Sequence, residues 1–214
     1  MGSVGPLGGD ARTELEHLRE QVRSLEHQNG RLMSRVAEQR QLAEAGRVAS
    51  IAVLEGLDLQ DVLHTLLDAL AGLVPFDAAC VMMLDTSGRV SVEAGIGYTP
   101  RMEPGTVVFE VARVPHLDAL VQGMQSVVIA DTVHHRGWQT GVTASADTRS
   151  WLGVPLIARG QVLGLYALDK REPEFFLPRH VELTEALAVH AALAIANALM
   201  YARLRVAQER TPAG

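Results

Sequence analysis

From Leu59 to Val74 the apolar residues recur at alternating three- and four-residue steps: Leu59, Val62, Leu63, Leu66, Leu67, Leu70, Leu73 and Val74. This period predicts a helix that buries one face. Asp58 stands at its N-cap position and Pro75 lies just past its end. Two apolar runs follow, 77–84 and 90–98, joined by Asp85-Thr86-Ser87-Gly88-Arg89, which reads as a hairpin. A second helix is expected over about 114–122 and a further strand over 126–131. A long polar loop then carries His134, His135, Trp138 and Thr140. The stretch Ser150–Asp169, SWLGVPLIARGQVLGLYALD, reads as two strands around a turn at Arg159-Gly160-Gln161. A hairpin with one wet face alternates apolar and polar residues, and this one hardly does. Leu152, Val154, Leu156 and Ala158 point one way, and Gly153, Pro155 and Ile157 the other. Both faces are built to be dry. A last helix is expected over about 178–208, with Pro178 at a favourable first position. It carries two apolar stripes: Leu183, Leu187, His190, Ala194, Asn197, Tyr201 and Leu204, and Val189, Leu193, Ala196 and Met200. The order of elements predicts an α+β fold on a mostly antiparallel sheet.

The pattern upstream is different. Leu15, Leu18, Val22, Leu25, Asn29, Leu32 and Val36 follow a heptad rhythm. With Leu15 at position a, the leucines at 18, 25 and 32 fall at d, and Val22, Asn29 and Val36 at a. Leucine at d, with β-branched residues and one asparagine at a, favours a parallel two-stranded coil. Glu14 complements Arg19 of a partner, Arg35 opposes Arg40, and Gly30 weakens the middle. The other reading is a helix folded back on its own domain. The expected organisation is a disordered leader over 1–11, a coiled-coil helix over 12–47, a main domain over 48–200 and a helix extension with tail over 201–214. The expected dimer seam is Leu18, Val22, Leu25, Asn29, Leu32 and Val36.

Composition narrows the function. The 214-residue chain has a net charge of −6, so it lacks the basic surface that nucleic acid or an anionic membrane needs. Its single cysteine, Cys80, allows no internal disulfide and no multi-cysteine metal site, which fits a cytoplasmic location. The apolar stretch 183–201 approaches the length of a membrane span, but Glu185, His190 and Asn197 interrupt it. A helix buried on two sides is the expected reading.

The most specific stretch is SWLGVPLIARGQVLGLYALDKREPEFF followed by LTEALAVHAALAIANA. Through it the chain resembles a GAF domain over about 48–200. The resemblance implies a central antiparallel sheet with helices on both faces: the first and last helices cover one face, and shorter helices and loops close a small-molecule pocket on the other. It also implies a sensor or regulatory role, pairing of two chains through the flanking helices, and an output on a signalling partner. The candidate pocket residues are Met83, His116, Asp131, His135, Trp138, Trp151 and Tyr166.

Four specific chemistries follow from the family. A cyclic-nucleotide signature is matched only in part, by Asp169-Lys170 and Phe176, with His180-Val181 replacing its Asp-Glu pair. Haem ligation would use His116, His134 or His135. Adjacent histidines point apart, so at most one of the last two faces inward. Covalent bilin attachment lacks a loop cysteine, and Cys80 reads as a small buried residue. Methionine sulfoxide reduction needs more than one cysteine, and no catalytic constellation or metal-ligand spacing stands out. The expectation is a non-enzymatic sensor with an unidentified ligand. The alternative is a ligand-free dimerisation scaffold whose pocket is filled by Met82, Met83, Leu163, Leu165 and Tyr166.

Overall fold

The computed structural model of the chain describes residues 58–138 and 147–209, with residues 17, 20–25, 28, 39 and 43 nearer the N-terminus. The chain divides into two compact units, Met1–Arg40 and Gln41–Gly214. In the first, residues 20–25 are helical and both Val22 and Leu25 are exposed. The other seam positions, Leu18, Asn29, Leu32 and Val36, lie outside the described residues, as does the leader.

In the second unit, helix α1 (Leu59–Leu73) forms where the three-and-four pattern places it, with Val62, Leu63, Leu66, Leu67 and Leu70 buried. Asp58 occupies the N-cap with extended backbone, but its side chain makes no capping bond. Strands β1 (Ala78–Leu84) and β2 (Arg89–Ile96) form the first hairpin. Asp85 closes it, since its Oδ1 accepts from the Ser87 and Arg89 amides at 2.8 and 2.9 Å. The Ser87 hydroxyl, which donates to the same oxygen at 2.6 Å, and these amide bonds hold the Asp85 carboxyl well below the usual carboxylate range.

A short strand that the pattern does not announce, β3 (Val108–Glu110), pairs with β2. Helix α2 (Pro115–Gly123) and strand β4 (Val127–Ile129) follow. Strands β5 (Ser150–Ala158) and β6 (Gln161–Lys170) form the long hairpin. Ala158 pairs with Gln161, so the loop is Arg159-Gly160 alone. Both residues have positive φ, 52° and 74°, the twist that a two-residue hairpin requires. Helix α3 (Pro178–Glu209) ends the described chain. The six strands order as β3-β2-β1-β6-β5-β4, each neighbour antiparallel.

Two bulges decide which residues face which layer. Val81 pairs with Ala94 but Met82 with Val92, so Glu93 is an extra residue. Leu156 pairs with Gly164 but Ile157 with Val162, so Leu163 is another. A one-residue insertion moves the following side chains to the opposite face. Val90 and Val92 therefore join one core, and Ala94 and Ile96 the other.

The first core lies beneath α1 and α3. Thr184, Leu187, Ala188, Ala191, Ile195 and Ala198 of α3 are buried. The stripe through Leu187 and Ala194 is the one that turns to the sheet, but only over its first part: Tyr201 and Leu204 are exposed. The stripe through Val189 and Leu193 faces outward, with Val189 68% and Leu193 57% exposed. By length and composition, residues 178–205 of α3 pass for a membrane span, yet the inner face of that helix packs on the sheet. The second core, on the opposite face of the sheet, contains Cys80, Met82, Leu117, Leu120, Trp151 and Leu165.

Candidate functional site

The second face encloses a small cavity of about 30 Å³, lined among others by Tyr98, Phe109, His116, Trp138, Trp151 and Asp169. Each wall has a local cause. Pro115 opens α2 at a position where its missing N–H costs nothing, and this sets His116 in the first turn, only 8% exposed. Trp151 is the second residue of β5, paired with Ile129 on one side and Asp169 on the other, and its ring lies over Gly153. A Cβ at Gly153 would overlap the Trp151 Cη2 atom, so the Trp-Leu-Gly sequence makes room for its own indole.

The loop that follows β4 brings the third ring. Asp131 accepts from the Val133 amide at 3.2 Å and is gripped by Arg149, whose Nε and Nη2 donate at 3.1 and 2.9 Å. Thr132 donates its hydroxyl to the Thr148 carbonyl at 2.6 Å. The His135 carbonyl then accepts from the Trp138 amide at 3.2 Å. Gly137, at φ 89°, packs so that an added Cβ would sit 3.0 Å from Pro115, which keeps the loop against α2.

The rings meet closely. His116 stacks on Trp138 at 5.3 Å between centroids and meets Trp151 edge-on at 4.9 Å. His135 meets His116 at 5.7 Å, and the two indoles are 6.2 Å apart. His116 Nδ1 and His135 Nε2 are buried and have no hydrogen-bond partner among the described residues. His134, by contrast, is 82% exposed and turns out to Asp131. Of the adjacent histidines only His135 faces inward, as the alternation of neighbouring side chains requires. Burial, with a smaller contribution from His135, pushes the His116 imidazole down to about 4.

The cavity floor is a buried polar chain. Tyr98 donates to Asp169 Oδ2 at 2.6 Å, Thr148 also bonds this carboxyl, and the Cys80 thiol bonds Tyr98. Burial pushes Asp169 up to about 6, against the pull of the Tyr98 and Thr148 hydroxyls. Burial, together with the Asp169 charge, pushes the Cys80 thiol up to about 12. On its other side the Tyr98–Asp169 pair borders an open cleft of about 160 Å³ with Asp77 and Lys170. Those two side chains pair with each other at 3.1 Å.

Of the seven expected pocket residues, the structure gathers His116, His135, Trp138 and Trp151. Asp131 holds the loop and does not line the cavity. Met83 and Tyr166 are corrected: both pack in the core beneath α1 and α3. Met82, on the next residue of β1, takes the cavity place instead. Both parities of these strands are apolar, so the pattern cannot tell one face from the other. Tyr98 and Asp169 were missed as site residues. The available signal was Asp169 itself, an acid in register with Leu165 and Ala167 on an otherwise dry strand.

No group of three or more potential metal ligands occurs among the described residues. No curated protein matches the chain. Solved structures share its fold. The GAF domain of a phosphoenolpyruvate-protein phosphotransferase from Coxiella burnetii is 20% identical, with TM-score 0.63 over 78% of this chain and 98% of that one. Free methionine-R-sulfoxide reductase from Neisseria meningitidis, in complex with its substrate, is 18% identical, with TM-score 0.59 over 76% and 90%. The GAF domain of a two-component sensor histidine kinase from Bacillus halodurans is 16% identical, with TM-score 0.57 over 66% and 96%. The sequence itself matches the GAF domain family over residues 56–196. With the layout expected of that family in place, a pocket face and a helix face on one antiparallel sheet, the chain belongs to the GAF domains, which serve in general as sensor and regulatory modules of signalling proteins.

Proposed function

We propose that this chain is a cytoplasmic signal-sensing module that holds a small molecule in the aromatic cavity and pairs with a second copy through its flanking helices. The observation that carries the ligand reading is the pair of orphaned imidazole nitrogens beside two indoles. A buried polar atom without a partner costs about 1–3 kcal/mol, and a ligand group bonded to it would offset that cost. The pairing reading rests on the outward stripe of Val189, Leu193 and Met200 on α3, together with the upstream heptads. Burying each against its twin in a second copy would give the sensor a route to an output partner. Ligand binding would act by favouring one helix packing over another, which requires different affinities for the two.

Enzymatic reduction of sulfoxides is not supported. The sequence has one cysteine, and Cys80 is buried with its thiol pushed up to about 12, far from the thiolate that such chemistry uses. Haem finds no room in a cavity of about 30 Å³. The same small volume favours the second reading, a scaffold whose pocket is closed by its own side chains.

A native mass spectrum of the purified chain separates the two readings. A dimer carrying a small adduct supports the sensor. Bare dimers that no small molecule shifts in a thermal melt support the scaffold, and a monomer with Leu193 still exposed removes the pairing.

A further inference from the structure

We infer that the cavity is a receptor for a small ammonium group, the head of an amine. This rests on the reading of the cavity as a ligand site. Asp169 is 4% exposed, and its two side-chain partners, the Tyr98 and Thr148 hydroxyls, are neutral. Of the basic side chains near it, Lys170 pairs with Asp77, Arg149 pairs with Asp131, and Arg171 is exposed and gives its amide to Asp77. No lysine or arginine lines the cavity among the described residues. A buried carboxylate with hydroxyl donors but no countercharge is the group that a cation completes.

Two further observations point the same way. The indoles of Trp138 and Trp151 are the aromatic faces that attract a cation most strongly. His116 Nδ1 is a buried, unpartnered nitrogen on the cavity wall. The ring is held neutral at physiological pH, so one of its nitrogens bears a lone pair. In the tautomer that leaves Nδ1 unprotonated, that atom accepts an N–H from the ligand. An anion would instead meet the Asp169 carboxylate and find no cation to bind it. The cavity, about 30 Å³, has room for roughly two water-sized groups, which is the size of methylammonium.

The chain reports its own occupancy. It has two tryptophans and both line the cavity, so intrinsic emission is a local signal. The probes are methylammonium chloride, methanol and sodium acetate, titrated into the full chain at pH 7.5 and constant ionic strength. Methylammonium is expected to change the emission saturably in the millimolar range, the ceiling for so few atoms. Methanol and acetate are expected to leave it unchanged. Asp169→Asn should weaken methylammonium at least tenfold, and Trp138→Leu, a change in a half-buried loop residue, several-fold. Should Asp169→Asn not fold, Tyr98→Phe, which loosens the carboxylate, takes its place with a loss of threefold or more. Saturation by methanol or acetate but not methylammonium overturns the ammonium assignment and leaves the ligand site standing. No response to any probe overturns both. Full methylammonium affinity in folded Asp169→Asn also overturns the assignment.

Discussion

The two faces of one sheet are built from different chemistry. Beneath α1 and α3 the packing is mostly aliphatic, Leu63, Leu66, Leu67 and Leu70 against Leu152, Val154 and Leu156, with Tyr166 and Phe176 as its buried rings. On the opposite face four heteroaromatic rings, a thiol, a phenol and a carboxyl come together. The first face gains free energy from every methylene it buries, about 0.8 kcal/mol each. The second buries groups that are costly to desolvate and leaves two nitrogens without partners. The contrast separates the face where stability is gained from the face where it is lost. The strands are common to both, so the helix face is what makes an unfavourable pocket face tolerable.

That division can be broken experimentally, and the largest effect is expected on the helix face. Leu67→Ala, at a wholly buried position, should lower the unfolding free energy by about 2–5 kcal/mol in a urea titration. It should leave the tryptophan emission of the native state unchanged. A shifted native emission would mean that the two faces are mechanically coupled.

Next comes pH. Asp169 is raised to about 6, so the folded chain holds a proton there that the unfolded chain releases near 4. Its contribution is present at low pH and is lost as pH rises from about 4 to 6. His116 is lowered to about 4, so the unfolded chain takes up the proton first, and this contribution grows as pH rises from about 4 to 6.5. The two oppose each other, each by roughly 2–3 kcal/mol. His116→Phe should therefore make stability fall with rising pH across this window. Asp169→Asn should make it rise. Parallel pH profiles for the native chain and both variants would remove the assignment.

Gly153→Ala should cost about 1–3 kcal/mol by overpacking and, unlike Leu67→Ala, move the emission maximum, because the Trp151 ring must leave its seat. An unshifted spectrum would put the ring elsewhere. The smallest effect belongs to Tyr166→Phe. The Tyr166 hydroxyl is wholly buried and has no partner among the described residues. Removing it should leave stability unchanged or raise it by up to about 1 kcal/mol. A loss beyond that in a thermal melt would reveal a bond to this hydroxyl.

Much of the architecture could be read from the chain because its signals are local. The period of 59–74, the Asp85–Arg89 turn and the doubly dry Ser150–Asp169 hairpin each depend on neighbours in sequence. β3 escaped because three residues, Val108, Phe109 and Glu110, carry too little pattern. Met82 and Met83 show the deeper reason for misplacing part of the site. When every position on a strand is apolar, parity is set by bulges and by what packs on each face, neither of which is a property of the residue. Asp169 shows the converse: a charge at a strand end looks like the start of a loop until the fold closes Tyr98 over it. His116, His135, Trp138 and Trp151 could be read because such rings stand out in a chain that is 4% aromatic.

The alanines along the inner side of α3 have a mechanical consequence. Residues 188, 191, 192, 194 and 198 are all alanine and all buried. Side chains this short leave shallow ridges, so the helix rests on the sheet more like a rod in a smooth trough than a screw in a thread. Sliding it along its axis displaces few interlocking atoms, whereas bending it breaks backbone hydrogen bonds. At 32 residues it is about 48 Å long. An axial shift of such a rod is expected to move both of its ends by the same amount.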